Sequence, residues 1–210
     1  LAHPDNLDGL EIFTVKPHDL SPLYHLTGGY NVRINDYEMA QNMIAPAAWA
    51  LAILQHKPKM VIEIGTSKGG LSAILSECVA HVGGEFHTFD IHSDGDYNKY
   101  PLTGNATFHE GDCFHWPNFD FICEKMERPG LCFLLCDGGN KPKEWNAFRQ
   151  FLKRGDIIGA HDYCDEALPG YSPTYWGWLE TPIAKLEMSG MALWEDSWFH
   201  YSAWCVRQKL

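Results

Sequence analysis

The sequence predicts an α/β fold: a mostly parallel sheet with helices on both faces and an antiparallel hairpin at the C-terminal end. Three observations predict it. Short apolar runs rich in Val, Ile, Leu and Phe alternate with segments of helical period, the pattern of a parallel sheet covered on both sides. The first such run leads into a glycine-rich turn, "VIEIGTSKGG" (61–70). Four of the runs end at or just before an acidic residue, at Asp90, Asp112, Asp137 and Asp162.

The elements follow in order. Residues 1–35 are rich in Pro, Gly, Asn and Asp without a clear period and read as an irregular arm, leaving 36–210 as a single domain. Asn35 or Asp36 is placed to cap a helix running to about Gln55, with Glu38 in its first turn and a kink at Pro46. Lys57-Pro58 breaks to a strand at Met60–Ile64. The glycine turn opens a helix over 70–81, and a strand follows at Glu85–Asp90. After the polar loop "SDGDYNKYPLTG" come a strand at Ala106–Glu110 and a helical or irregular piece through "WPNFDFICEKM". A strand at Leu131–Cys136 precedes a helix over 143–152, which sets Trp145, Phe148, Phe151 and Leu152 on one face. The strand Ile157–Ala160 ends at His161-Asp162. The tail "MALWEDSWFHYSAWCVRQK" reads as two strands joined by a short turn.

Right-handed crossovers place the carboxyl ends of all parallel strands on one edge, where ligands bind at the switch point of the strand order. Gly65–Gly70, Asp90, Asp112, Asp137 and His161-Asp162 are therefore expected to converge on one crevice. A net charge of −11 over 210 residues argues against nucleic acid as the main partner. No apolar run reaches the ~18 residues of a membrane helix, and the N-terminus lacks a secretory signal pattern. Seven scattered cysteines without a CxxC pair fit reduced core thiols and a cytoplasmic location. Cys132 and Cys136 are expected on one side of their strand.

The glycine turn is neither the dinucleotide fingerprint GxGxxG nor the phosphate loop GxxxxGK[ST]. Glu63, two residues before the first glycine, favours a ligand with a cationic end; a tight strand-to-helix turn is the alternative. Asp90 ends its strand where a carboxylate can accept from two ribose hydroxyls. Asp112 is placed to meet an adenine edge or to cap the next segment. Asp137 and Asp162 end neighbouring strands, so their carboxylates could share one oxygen-loving ion, with cofactor-side hydrogen bonding as the alternative.

The order "VIEIGTSKGG … FDIH … EGDCF … LLCDGGN … LKRGDIIGAHDY" resembles the class I S-adenosylmethionine-dependent methyltransferases, in particular their small-molecule O-methyltransferase and cephalosporin-hydroxylase-like branch. The resemblance covers roughly residues 36–165. It implies a Rossmann-like, seven-stranded sheet whose last strand is antiparallel, and S-adenosylmethionine as cofactor. Glu63 and the turn residues Gly65, Thr66, Ser67 and Gly69 would hold its methionine part, Asp90 the ribose, and Asp112 with Cys113 the adenine. In metal-dependent members an acid follows the fourth strand and an acidic or amide pair follows the fifth. Asp137 and Asp162 match that pattern, with Mg²⁺ or Mn²⁺ the expected ion; His161 departs from it, and with His161 as a ligand Fe²⁺ or Zn²⁺ also fits. Asn140 stands where members often carry histidine. Lys141 or Lys143 is then the expected base, working with Asp137.

Tyr163, Trp176 and Trp178, in a loop spanning about 163–182, are expected to clamp a small hydroxylated acceptor, with packing against the sheet or a partner subunit as the alternative. A homodimer is compatible with the resemblance. Two other readings stay open: a Rossmann-like nucleotide-binding oxidoreductase, and a non-catalytic binding module with a degenerate site.

Overall fold

The computed structural model describes residues 32–34, 37–39, 41, 44–92, 99–164, 181–182, 186–194, 199, 202 and 204–210. Its centre is a seven-stranded sheet. Strands β3 (Met60–Ile64), β4 (Glu85–Asp90), β5 (Ala106–Glu110), β6 (Cys132–Cys136) and β7 (Ile157–Ala160) run parallel. Strands β10 (Met191–Leu193) and β11 (Cys205–Lys209) close one edge, with β11 antiparallel to both β7 and β10. The order β10-β11-β7-β6-β3-β4-β5 reverses between β3 and β6, so the carboxyl ends of those two strands flank the switch point.

Strands β3 and β6 are buried along their whole length, which explains why they are nearly uniformly apolar. Alternate residues feed two cores. Val61, Phe133 and Leu135 join the core beneath helices α1 (Ile44–His56) and α2 (Gly70–Val82). Met60, Ile62, Ile64, Cys132, Leu134 and Cys136 join the core beneath α3 (Asn118–Glu127) and α4 (Lys141–Phe148). Cys132 and Cys136 thus share a side, as expected, and burial raises both thiols above their ordinary range.

Three expectations need correction. The first helix starts at Ile44, not at 36. Pro46 lies in its first turn, where a missing N–H costs nothing, so it neither kinks nor divides the helix. Instead, β1 (Val32–Ile34) and β2 (Tyr37–Met39) form a small antiparallel pair. Glu38 is in a strand, where it meets Lys68 at 3.3 Å and Lys99 at 2.9 Å. A Cβ on Gly70 would fall 2.1 Å from the Glu38 carbonyl oxygen, so glycine there lets β2 lie across the start of α2.

The second correction concerns the helix expected over 143–152. It begins at Lys141 and ends at Phe148, followed by a 3₁₀ turn at Arg149–Phe151. Asn140 caps it by accepting the Lys143 N–H at 3.1 Å, and Pro142 supports the first turn.

The third concerns the tail. Its two strands are joined by residues 194–204, not by a short turn. The rings of Phe199 and Trp204 fold onto Trp49 of α1, at 4.5 and 5.2 Å, so their apolar pattern serves the core and not a strand. Among the described residues no helix is long and apolar enough to cross a membrane.

Candidate functional site

The expected convergence is present. A cavity of about 510 Å³ opens at the carboxyl edge of the sheet, lined by Gly65, Ser67, Asp90, Asp112, Cys113 and Asp137 among others. That volume lies within the range of small-molecule pockets. Gly65 adopts φ 99°, and a Cβ there would lie 2.3 Å from the Asp137 carbonyl oxygen. The first glycine of the turn therefore permits the exits of β3 and β6 to touch.

Asp90 organises the next part of the turn. Its carboxylate accepts the Ser67 N–H at 2.8 Å and the His92 N–H at 3.2 Å. Asp112 accepts the Phe114 N–H at 2.8 Å, a local turn contact that coexists with its place in the cavity wall. Burial first, then the charges of Glu144 and Asp112, push the Cys113 thiol up to about 12, so it lines the cavity as a neutral S–H.

Glu63, Thr66 and Gly69 do not line that cavity. They border a small adjoining space of about 20 Å³, which Gly65, Ser67 and Asp137 also touch. Glu63 is 1% exposed. It accepts hydrogen bonds from Ser72 and from Thr88 (2.6 Å), and Thr66 lies 2.5 Å from Thr88. Burial pushes its carboxyl up to about 8 against the pull of those two hydroxyls, so it is protonated at neutral pH unless a cation joins it.

Beyond Asp137 lies the second half of the site. Ligand atoms of Asp137, His161 and Asp162 all fall within 4.8 Å of one another. His161 Nδ1 is 2.8 Å from Asp137 Oδ1 and 3.6 Å from Asp162 Oδ1. Burial opposes the imidazolium, but the Asp137 charge and hydrogen bond, with Asp162, outweigh it and raise the His161 pKa. Two carboxylates and an imidazole at this spacing are a donor set that a divalent ion can take. Lys141 is buried, with Nζ 2.6 Å from Asp162 Oδ2. It is thus committed to an ion pair, whereas Lys143 lies on the cavity wall with Nζ 3.7 Å from the Phe114 ring centre.

Three residues were not singled out from the sequence. Gln41 is buried and donates through Nε2 to Asp137, while its Oε1 accepts the Trp204 indole N–H at 3.1 Å. Trp204 also stacks on His161, with ring centres 4.9 Å apart. Glu144 accepts the N–H groups of Gly138 (3.1 Å) and Asn140 (3.0 Å) and so shapes the turn after Asp137. Burial pushes its carboxyl up to about 7. Of these, only Glu144 left a trace in the sequence, as an acid in the first turn of a helix capped by Asn140. Tyr163 falls on the short strand β8 (Tyr163–Cys164), paired in parallel with β9 (Thr181–Pro182). Trp176 and Trp178 lie outside the described residues.

No family model and no curated protein matches this chain. Solved structures do. CmcI in its apo form superposes with a TM-score of 0.60 at 16% identity, covering 85% of this chain and 76% of that one. A CmcI structure with Mg-SAM gives 0.55 at 13% identity over the same shares. The SAH-bound methyltransferase PaMTH1 of Podospora anserina gives 0.53 at 14% identity, covering 92% of this chain and 95% of its own. The chain has the Rossmann-like, seven-stranded fold of these methyltransferases.

Proposed function

We propose that the protein is an S-adenosylmethionine-dependent methyltransferase that methylates a hydroxyl of a small molecule. The observation that carries this reading is one continuous crevice. Gly65, Asp90, Asp112 and Cys113 line a nucleoside-sized cavity, and Asp137 connects it to the Asp137–His161–Asp162 group. The shared fold with SAM- and SAH-bound structures supports the same reading.

Methyl transfer from a sulfonium asks chiefly for alignment of donor and acceptor and exclusion of water. The residues divide that work. Asp90 keeps lone pairs for ribose hydroxyls while bracing the turn through Ser67. Glu63 offers a buried carboxyl to the ammonium of the methionine part. Cys113 and Asp112 frame the base. A divalent ion held by Asp137, His161 and Asp162 would polarise the acceptor oxygen and ease loss of its proton. The 2.8 Å hydrogen bond between His161 and Asp137 holds the imidazole in place within this group. Lys141 takes a supporting part, because acting as base would break its pairing with Asp162.

The test is transfer of labelled methyl from S-adenosylmethionine to a panel of catechols, other phenols and sugars, with Asp137→Ala in parallel. Product that depends on Asp137 supports the reading. Transfer that proceeds equally in Asp137→Ala would remove Asp137 from it.

A further inference from the structure

The acidic group beside the cavity carries its own cation. Lys141 is 6% exposed, and its ammonium lies 2.6 Å from Asp162 Oδ2, whose side chain is mostly shielded from solvent. Its position is fixed from both ends. Asn140 caps α4 and Pro142 follows, which locks the backbone of Lys141 in the first turn. Asp162 sits at φ 54°, the left-handed region that aspartate tolerates, two residues past the end of β7. The other carboxylate is also engaged: Asp137 takes His161 on one oxygen and Gln41 on the other.

An ion bound by Asp137, His161 and Asp162 together would therefore meet a positive charge already resting on one of its three ligands. Like charges a few ångströms apart in a buried site repel strongly enough to change affinity by about tenfold or more. Lys143, two residues on, has the same charge but leans on the Phe114 ring.

We propose that Lys141 is a tethered cation that competes with a divalent ion for Asp162 and so sets the metal affinity of the Asp137–His161–Asp162 group. This rests on the reading of that group as a divalent-ion position. Metal binding and the Lys141–Asp162 pair oppose one another, and the site holds metal weakly until Lys141 is drawn away. A Lys141 drawn from Asp162 towards an anionic acceptor would relieve that opposition, so arrival of such an acceptor and uptake of metal would favour each other.

The test is a Mn²⁺ titration of the full chain without S-adenosylmethionine, read by calorimetry and by the loss of the free Mn²⁺ paramagnetic resonance signal. Lys141→Met should bind Mn²⁺ about tenfold or more tightly than the wild type. Lys141→Arg, which keeps the charge, should stay as weak as the wild type. Lys143→Met, which removes an equal charge elsewhere, should change affinity by less than about twofold. Lys141→Gln serves as a second neutral variant if the methionine variant folds poorly, with circular dichroism as the check. Mn²⁺ affinity that is unchanged or weaker in the neutral Lys141 variants overturns the proposal, as does failure of every variant to bind Mn²⁺. Because no cofactor is present, a failure of the methyl-transfer reading shows separately, as absent binding of S-adenosylhomocysteine.

Discussion

Gln41 donates its side-chain amide to the Asp137 carboxylate, joining the segment before α1 to the exit of β6. The same side chain accepts from Trp204, so one amide ties together parts of the chain 163 residues apart. Gln41→Leu should strand the buried Trp204 N–H and one Asp137 oxygen. The expected loss is about 1–3 kcal/mol of stability. Urea melts check this; a midpoint equal to that of the wild type would show that the contact contributes nothing.

Asp90 serves both the turn and the proposed ribose position. Asp90→Ala should weaken S-adenosylhomocysteine binding by about ten- to a hundredfold, the worth of one charge-assisted hydrogen bond. Equal affinity in the two proteins, by calorimetry, would remove the ribose role.

The first two predictions show what was legible in the sequence. Strands β3, β4 and β7 begin and end where their apolar runs do, because burial on both faces leaves no ambiguity of period. Asp90 was readable from its place at a strand end. Gln41 and Trp204 were not. Nothing local distinguishes a glutamine ahead of a helix, and the partnership exists only once the sheet brings distant segments together. The late start of α1 was missed because Asn35 and Asp36 mimic a cap while Pro46 mimics a break. The pairing of Lys141 was hidden for the same reason as that of Gln41: Asp162 is on a different strand exit.

Buried Glu63 gives a pH signature. Burial raises its carboxyl from 4.5 to about 8, so between these values the folded protein holds a proton that the unfolded chain releases. Stability on this account is fully present below about pH 4.5 and lost as pH rises towards 8. Relative to Glu63→Gln, the wild type should lose up to about 1.4 kcal/mol per pH unit across that window. Urea melts of both proteins at pH 5 and pH 8 measure the difference, which vanishes if Glu63 is ionised throughout. Glu63 should also shed its proton when the ligand ammonium arrives. Calorimetry in buffers of different ionisation enthalpy would detect that release.

His87 acts with the opposite sign. Burial, then the Lys125 charge, pushes its pKa from 6.5 down to about 4, while Nδ1 stays 3.1 Å from His109 Nε2. The unfolded chain takes up the proton first as pH falls, so stability is present above about 6.5 and lost through about 4. Replacing it by glutamine should flatten the acid limb of the stability profile. A His87→Gln protein whose melting temperature falls as steeply between pH 6.5 and 4 would show that the acid limb arises elsewhere.

The most direct measurement is calorimetric titration of S-adenosylhomocysteine into the wild type and into Asp90→Ala. The account predicts one-to-one binding to the wild type, with affinity strongly reduced by the substitution. No heat of binding to the folded wild type at millimolar ligand would contradict it, and would mean that the Gly65–Gly70 turn and the acids around it serve another ligand or the fold alone.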